Sequence, residues 1–334
     1  MAVALIGISF LIILIIGHEF GHFFAAKLFG LRVDEFGFGF PPKLFSRKKG
    51  ETEYSFNLLP FGGFVKIHGE HAGMQEKIED PKRSFTHQGA FKRSVIIVAG
   101  AFMNFLIGWI AFSIVFTTGV PNRVVIERVA ENSPAAEIGL TAGQTIEGFE
   151  SAEEFANFVS ENKGKEIEVN GTLVTPREST PEDEGALGVV VTDAGVEKQG
   201  IFEGIWSGLV AAVVTTGLII QAFVSFVGSA FSGDLSVVNE VTGPVGVFNI
   251  LSDVSTLGFV PLVQFLGLIS LNLVVINLIP FPALDGGRFL TIVIEKIIGR
   301  RLNYKFEAVA NAVGLVLLLL LMVVVTIKDI INIF

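Results

Sequence analysis

The strongest chemical pattern in the chain is His18-Glu19-Phe20-Gly21-His22. Residues four apart on a helix share a face, so the two imidazoles can bind one metal ion while Glu19, one step round, faces a water bound to it. Each residue type suits the task. Neutral imidazole is a ligand for zinc, the ion lowers the pKa of its bound water to about 7, and a carboxylate takes the proton as that water attacks a carbonyl. The plain alternative is a pair of core histidines capping a helix. With only five histidines in 334 residues, the pattern arises by chance in roughly one such sequence in a hundred or fewer. Cysteine is absent, which excludes thiolate metal sites, a cysteine nucleophile and disulfides; any metal is held by His and carboxylate.

A catalytic zinc needs a third protein ligand and an open position. Asp285 is the candidate, within the run from Asn277 to Gly287 that reads NLIPFPALDGG. Pro280 and Pro282 break any helix there, and the backbone groups they free must face protein, water or substrate rather than lipid. Read alone, Asp285-Gly286-Gly287 is equally a turn after a helix. Beside the histidine pair, the ligand reading is the better one.

The elements that must carry these residues lie in or beside a membrane. Hydrophobic residues make up 51% of the chain, charged residues 17%, and the mean hydropathy is +0.63. Apolar runs of the roughly 20 residues that cross a hydrocarbon core occupy 3–28, 94–118, 259–281 and 308–327, with a fifth apolar stretch at 205–231. The first run lacks a basic leader and a small-residue cleavage site, so it reads as a span and not as a cleaved signal. Of the 24 Lys and Arg, 12 fall between Lys27 and Arg93 and five between Arg288 and Lys305, which assigns both segments to the cytoplasmic side. Residues 121–200 carry 16 acidic and six basic side chains and form the outside domain. No basic patch marks a folded domain, which argues against a nucleic-acid partner.

Both halves of the candidate metal site must lie at one depth. If 205–231 crossed the membrane, the span from Phe259 would run outwards and leave Asp285 on the wrong side. The expectation is therefore four transmembrane helices, with 205–231 as an interfacial helix. The expected segments are a first span with the histidine pair (1–28), a membrane-associated β-hairpin segment (29–93), a second span (94–119), an extracytoplasmic α+β domain (121–195), an interfacial helical segment (201–256), a third span ending in the Asp285 turn (257–287), and a cytoplasmic loop with a fourth span (288–334).

With these residues in place the chain resembles the bacterial site-2 proteases, zinc intramembrane proteases that include the sigma-E-pathway enzyme of enteric bacteria. The resemblance rests on His18–His22, on Gly100-Ala-Phe-Met-Asn104 in the second span, and on Asn277 through Gly287 with its Leu284-Asp285-Gly286 core. It implies that His18, His22 and Asp285 hold zinc, that Glu19 is the base, and that Asn104 and Asn277 line the site or contact substrate backbone. It also implies single-span membrane proteins as substrates, such as membrane-bound anti-sigma factors or signal-peptide remnants, and a multi-pass location in the bacterial inner membrane. A silent membrane scaffold and a zinc transporter are the competing classes. Intact Glu19 argues against the first, and ligands converging on one end argue against the second.

Between the first two spans, 33–44 and 53–58 read as strands joined by a turn near Arg47-Lys48-Lys49-Gly50, and Phe61-Gly62-Gly63-Phe64-Val65-Lys66 continues them. An exposed strand edge there can bind an unwound substrate by strand addition, with Phe64 and Val65 as contacts. A hairpin that merely packs on the spans is the alternative. In the outside domain, 124–129 and 166–174 read as strands and 152–162 as a helix. The run from Ser133 to Ile146 resembles the Gly-Leu…Gly-Asp-x-Ile signature of PDZ domains in this family, with Gln144 in place of the usual Asp. One such domain fits where the enteric enzyme has two, and it either captures a carboxyl terminus or limits access by bulky substrates.

Overall fold

In an apolar medium a backbone segment must satisfy its own hydrogen bonds, so long apolar runs become helices. The computed structural model, which describes residues 2–70, 79–179, 184–233 and 241–333, has α1 at Ala2–Leu28, α2 at Ala90–Thr118, α5 at Ile201–Phe231, α7 at Phe259–Leu278 and α9 at Tyr304–Ile333. Among the described residues these five helices are long and apolar enough to cross a bilayer, with mean hydropathies from 2.2 to 2.9, and the chain is a multi-span membrane protein. It forms two units, residues 1–114 with 205–334 and residues 115–204.

In the membrane unit, small residues set the helix spacing, because without a hydrophobic drive between helices close backbone approach supplies the packing. Gly21 of α1 faces the Ala99 carbonyl of α2 so closely that a Cβ there has no room, and Gly17, one turn earlier, faces Ile107. α7 runs antiparallel to α2: a Cβ on Gly267 would lie 2.9 Å from that of Ala111, and Ser270 Oγ donates to the Asn104 carbonyl at 2.8 Å.

α5 differs from the expected interfacial helix. It runs antiparallel along α2, with Gly204 packed on Thr117 and Gly208 on Ser113, and Trp109 Nε1 donates to the Ile205 carbonyl at 3.0 Å. Ala212 then joins Phe112, Leu271 and Val274 in one buried cluster. A helix lying flat on a membrane cannot follow a spanning helix this way, and the weak polar face of 205–231 already fitted that role poorly. The rest of the expected interfacial segment contains α6 (Pro244–Leu257).

The hairpin, β1 (Val33–Lys49) with β2 (Thr52–Ile67), is more than two strands side by side. Phe36 is the partner of both Val65 and Tyr54, Gly37 of both Phe64 and Ser55, and Phe38 of both Gly63 and Phe56, while Lys43–Lys49 pair back onto Thr52–Asn57. The two strands therefore double over into a small sheet in which 33–38 lies between 63–67 and 52–57. The left-handed glycines Gly39 and Gly62 supply the bends, a conformation open to glycine at no steric cost. Phe23 of α1 seats the sheet by edge-on contact with Phe36, ring centroids 5.4 Å apart.

The expected third span ends early. α7 stops at Leu278, and after the Pro280–Leu284 turn a new helix, α8 (Asp285–Ile298), begins at Asp285. Prolines 280 and 282 lack the N–H groups that would continue α7. The stretch expected as a cytoplasmic loop is thus largely this amphipathic helix, which buries Ile292 against Ile96, Ile97 and Ile67 and joins α2 through Arg93–Glu295 at 2.8 Å.

The second unit contains a three-stranded sheet of order β4-β3-β7 (Thr145–Ile146, Val124–Val129, Val189–Asp193) with the helices α3 (Pro134–Glu137) and α4 (Ala152–Glu161). The segment expected as one strand at 166–174 is two, β5 (Ile167–Val169) and β6 (Thr172–Val174). They turn at Asn170 and Gly171, both left-handed at φ 49 and φ 79, the tight hairpin geometry that an Asn-Gly pair favours.

Candidate active site

α1 presents His18 and His22 one turn apart on the face toward α2, and α8 brings Asp285 to them in its first turn. His18 Nε2 and His22 Nε2 are 3.1 Å apart, and Asp285 Oδ2 lies 3.1 Å from the first and 3.2 Å from the second. Three ligand atoms of a tetrahedral zinc with bonds of about 2.05 Å are about 3.3 Å apart. The triangle therefore has the size of one face of such a site.

The protonation pattern points the same way. His22 Nδ1 lies 2.8 Å from the Ile96 carbonyl, which can only accept, so Nδ1 carries a proton and, in the neutral imidazole, Nε2 is the lone pair that faces the triangle. Asp285 Oδ2 is buried without a hydrogen-bond partner. Lone pairs this close repel unless a cation lies among them, and two histidines with a carboxylate suit zinc. The glycine at 100 completes the cradle: a Cβ there would sit against His22 Nε2 and within 2.8 Å of His18 Cε1.

Asn104 and Asn277 both reach His18 Nδ1, their side-chain nitrogens 3.4 Å from it. Asn104 is fully buried and its Oδ1 has no partner. Amide oxygen and nitrogen are assigned from the bonding they make, and turning the Asn104 amide over gives that oxygen the His18 Nδ1 proton as partner, leaving Nε2 free for metal. Asn277 is only half-buried and lines the open side.

The loop that delivers Asp285 is held in a costly shape. Ala283 is left-handed at φ 76, where a Cβ costs about 1–2 kcal/mol. The Asn311 side chain of α9 accepts its N–H at 3.0 Å. Gly286 and Gly287 let the new helix fold back on the carbonyls of Leu278, Ile279 and Phe281, contacts that leave no room for a side chain.

A cavity of about 320 Å³ opens on this triangle, lined by Glu19, Gly63, Phe64, Val65, Ile67, Glu70, Asn277 and Arg288 among others. The segment 63–67 forms one wall. Gly63 sits directly on Glu19, since a Cβ there would lie 2.8 Å from Glu19 Cγ and 2.9 Å from Ile15 Cγ2. Among the described residues no strand pairs with the other edge of 63–67. The sheet is tied to α1 by Glu51, which accepts from Lys27 at 2.5 Å and from Arg83 at 2.8 Å. The Lys27 hydrogen bond, helped by Arg83, holds the Glu51 carboxyl below the usual carboxylate range although partial burial opposes it.

The sequence reading missed Gly63, Gly100, Glu70 and Arg288. The Gly62-Gly63 pair was visible as a signal, but only the assembled pocket shows what its second member touches.

Comparison with known proteins is consistent over nearly the whole chain. Residues 6–321 match the model of peptidase family M50. A protein of Clostridium perfringens with "zinc metalloprotease" in its name is 37% identical over 95% of both chains. The Regulator of sigma-W protease RasP of Bacillus subtilis is 30% identical over 98% of both, and the Zinc metalloprotease RasP of Bacillus licheniformis is 28% identical over 98% of this chain and 99% of its own. The chain thus belongs to peptidase family M50, the site-2 type of zinc metalloprotease.

Proposed function

We propose that this enzyme hydrolyses peptide bonds within or beside the transmembrane segments of single-span membrane proteins, and that His18, His22 and Asp285 hold its zinc. The observation that carries this reading is the shared pocket, which His18, His22, Asp285 and Glu19 line together with 63–67, a segment whose other edge pairs with no strand among the described residues. A helix hides its peptide bonds in its own hydrogen bonds, so a substrate must unwind before it is cut. An open strand edge replaces the lost bonds by strand addition, with Phe64 and Val65 as contacts.

A zinc held by His18, His22 and Asp285 would supply Lewis acidity to a water and to the scissile carbonyl. Glu19, against which Gly63 packs, takes the proton and returns it to the leaving amine. Asn104 orients His18, and Asn277, on the open side, hydrogen-bonds the substrate backbone. Residues 121–195 act as one extracytoplasmic PDZ domain, and the acidity of this segment favours a steric filter over capture of carboxyl termini. In the topology we favour, α1, α2, α7 and α9 cross fully and α5 enters beside α2. α6 lies on the outer side in this topology, where Leu251 meets Gly7 of α1 and Asp329 of α9 accepts from Gly246 N at 2.8 Å. This keeps Asp285 level with the histidines. A bacterial cytoplasmic membrane and substrates such as membrane-bound anti-sigma factors or signal-peptide remnants fit this architecture, and the sigma-W title of the Bacillus subtilis relative favours the first substrate class.

The test is zinc content and cleavage of a labelled model span by wild type, Glu19→Gln, Asp285→Ala and Val65→Pro. Glu19→Gln should keep zinc and lose cutting, Asp285→Ala should lose both, and Val65→Pro should keep zinc without turnover. Full zinc in Asp285→Ala would place the third ligand elsewhere, and normal turnover by Val65→Pro would remove strand addition.

A further inference from the structure

Two charged residues line the pocket without a part in the chemistry above: Glu70 and Arg288. Arg288 Nη2 donates to Glu70 Oε1, and the Glu70 side chain is only 4% exposed. They come from opposite walls. Glu70 follows Ile67 by three residues, and its N–H bonds the Ile67 carbonyl at 3.1 Å, so the end of the edge segment fixes its position. Arg288 follows Asp285 by three residues, about one turn along α8, and its N–H bonds the Leu284 carbonyl at 3.3 Å. Among the described residues no other hydrogen bond or ion pair joins 63–70 to α8; the remaining link is apolar packing around Ile67 and Ile292.

Burying an ion pair is a poor way to gain stability, since desolvation offsets most of the attraction and apolar residues of similar size do as well. An ion pair does fix the separation of the two elements that carry it, through directional hydrogen bonds that apolar contacts lack. Here one element carries the open strand edge and the other carries the third metal ligand.

We infer that the Glu70–Arg288 pair is a clamp that sets the width of the substrate slot, making both positioning residues that govern substrate engagement and the choice of bond cut. The inference rests on the strand-addition reading of the slot. With the clamp closed, a strand laid along 63–67 meets the metal and Glu19 at one fixed offset. With the clamp broken, the sheet wall drifts from α8, and the same substrate binds more weakly and in more than one register.

The experiment compares zinc-loaded wild type with Glu70→Gln, Arg288→Gln and the double variant on a labelled single-span substrate, with cut positions read by mass spectrometry. Each single variant should keep its zinc, raise KM tenfold or more with a smaller effect on kcat, and spread cleavage over neighbouring bonds. The double variant should be less impaired than either single, because one buried charge without its partner is worse than none. Unchanged KM and a single cut site in both single variants would overturn the clamp, as would a double variant showing the product of the two single effects. A second measurement needs no substrate. The chain has no cysteine, so spin labels on cysteines placed at the exposed Lys66 and Lys296 report the gap between sheet and α8. Glu70→Gln should broaden that distance distribution, and an unchanged distribution would overturn the clamp. A broadened distribution alongside normal turnover by Val65→Pro would leave the clamp standing and remove the slot reading instead.

Discussion

Replacing Gly63 by alanine tests whether the sheet positions the base. The added Cβ would lie 2.8 Å from Glu19 Cγ and 2.9 Å from Ile15 Cγ2, whereas carbon atoms rest at about 3.5–4.0 Å. Relief therefore demands a displacement of roughly 0.7–1.2 Å, shared between the Glu19 side chain and the strand. A misplacement of about 1 Å at a reacting group costs on the order of a hundredfold in rate, so kcat should fall about 10- to 100-fold, or roughly 1.4–2.7 kcal/mol of barrier. Zinc should remain, because none of the three ligand atoms is touched. The assay is steady-state cleavage of a model span alongside metal analysis, with Gly217→Ala as control. An added Cβ at Gly217 on α5 meets nothing within 4 Å, and alanine there favours the helix by up to about 1 kcal/mol. Undiminished kcat in Gly63→Ala, or loss of zinc in step with activity, would refute the assignment of Gly63 to the base.

Asn104→Ala should lower zinc affinity about 10- to 100-fold by removing the partner of His18 Nδ1, read by competition with a fluorescent chelator; unchanged affinity would leave Asn104 a packing residue. Ala283→Gly should raise thermal stability by about 1 kcal/mol, since glycine enters the left-handed region freely, whereas Ala283→Val should lower both stability and zinc occupancy. The Glu51 carboxyl titrates below its unfolded value of about 4.3, so its contribution is present above that pH and lost as pH falls through the lower folded value. Tryptic cleavage at Arg47–Lys49 should therefore hold steady from pH 8 to 6, where trypsin can be used, and hydrogen exchange of the 43–57 amides should accelerate only below about pH 4. Acceleration already at pH 6 would point to another group.

The pair His18 and His22 was legible because four-residue spacing is local geometry that any helix realises. Asp285 lies far along the chain and needed an argument about depth, which the proline-broken end of the third apolar run made possible. For 205–231 the same argument named an interfacial helix. It assumed that a chain entering the membrane must emerge opposite, whereas α5 packs along α2 and α6 lies near the ends of α1 and α9. The doubled sheet was not legible either, because strand alternation cannot reveal that 33–38 pairs on both sides; only the left-handed Gly39 and Gly62 hint at the bends. Asn170-Gly171 was a readable turn that passed as strand interior amid apolar neighbours. Glycines 17, 21 and 100 look like ordinary helix residues until the partner helix is seen to need their missing side chains.

The three atoms proposed to hold zinc are divided between α1 and α8. A chain grows from its N-terminal end, so His18, Glu19 and His22 are made long before Asp285, and on the ligand set proposed above the triangle stays open until Asp285 arrives. On that assignment the triangle closes only when α8 has packed against α1 and α2, as it does through Asp285 beside the two histidines and Glu295 paired with Arg93.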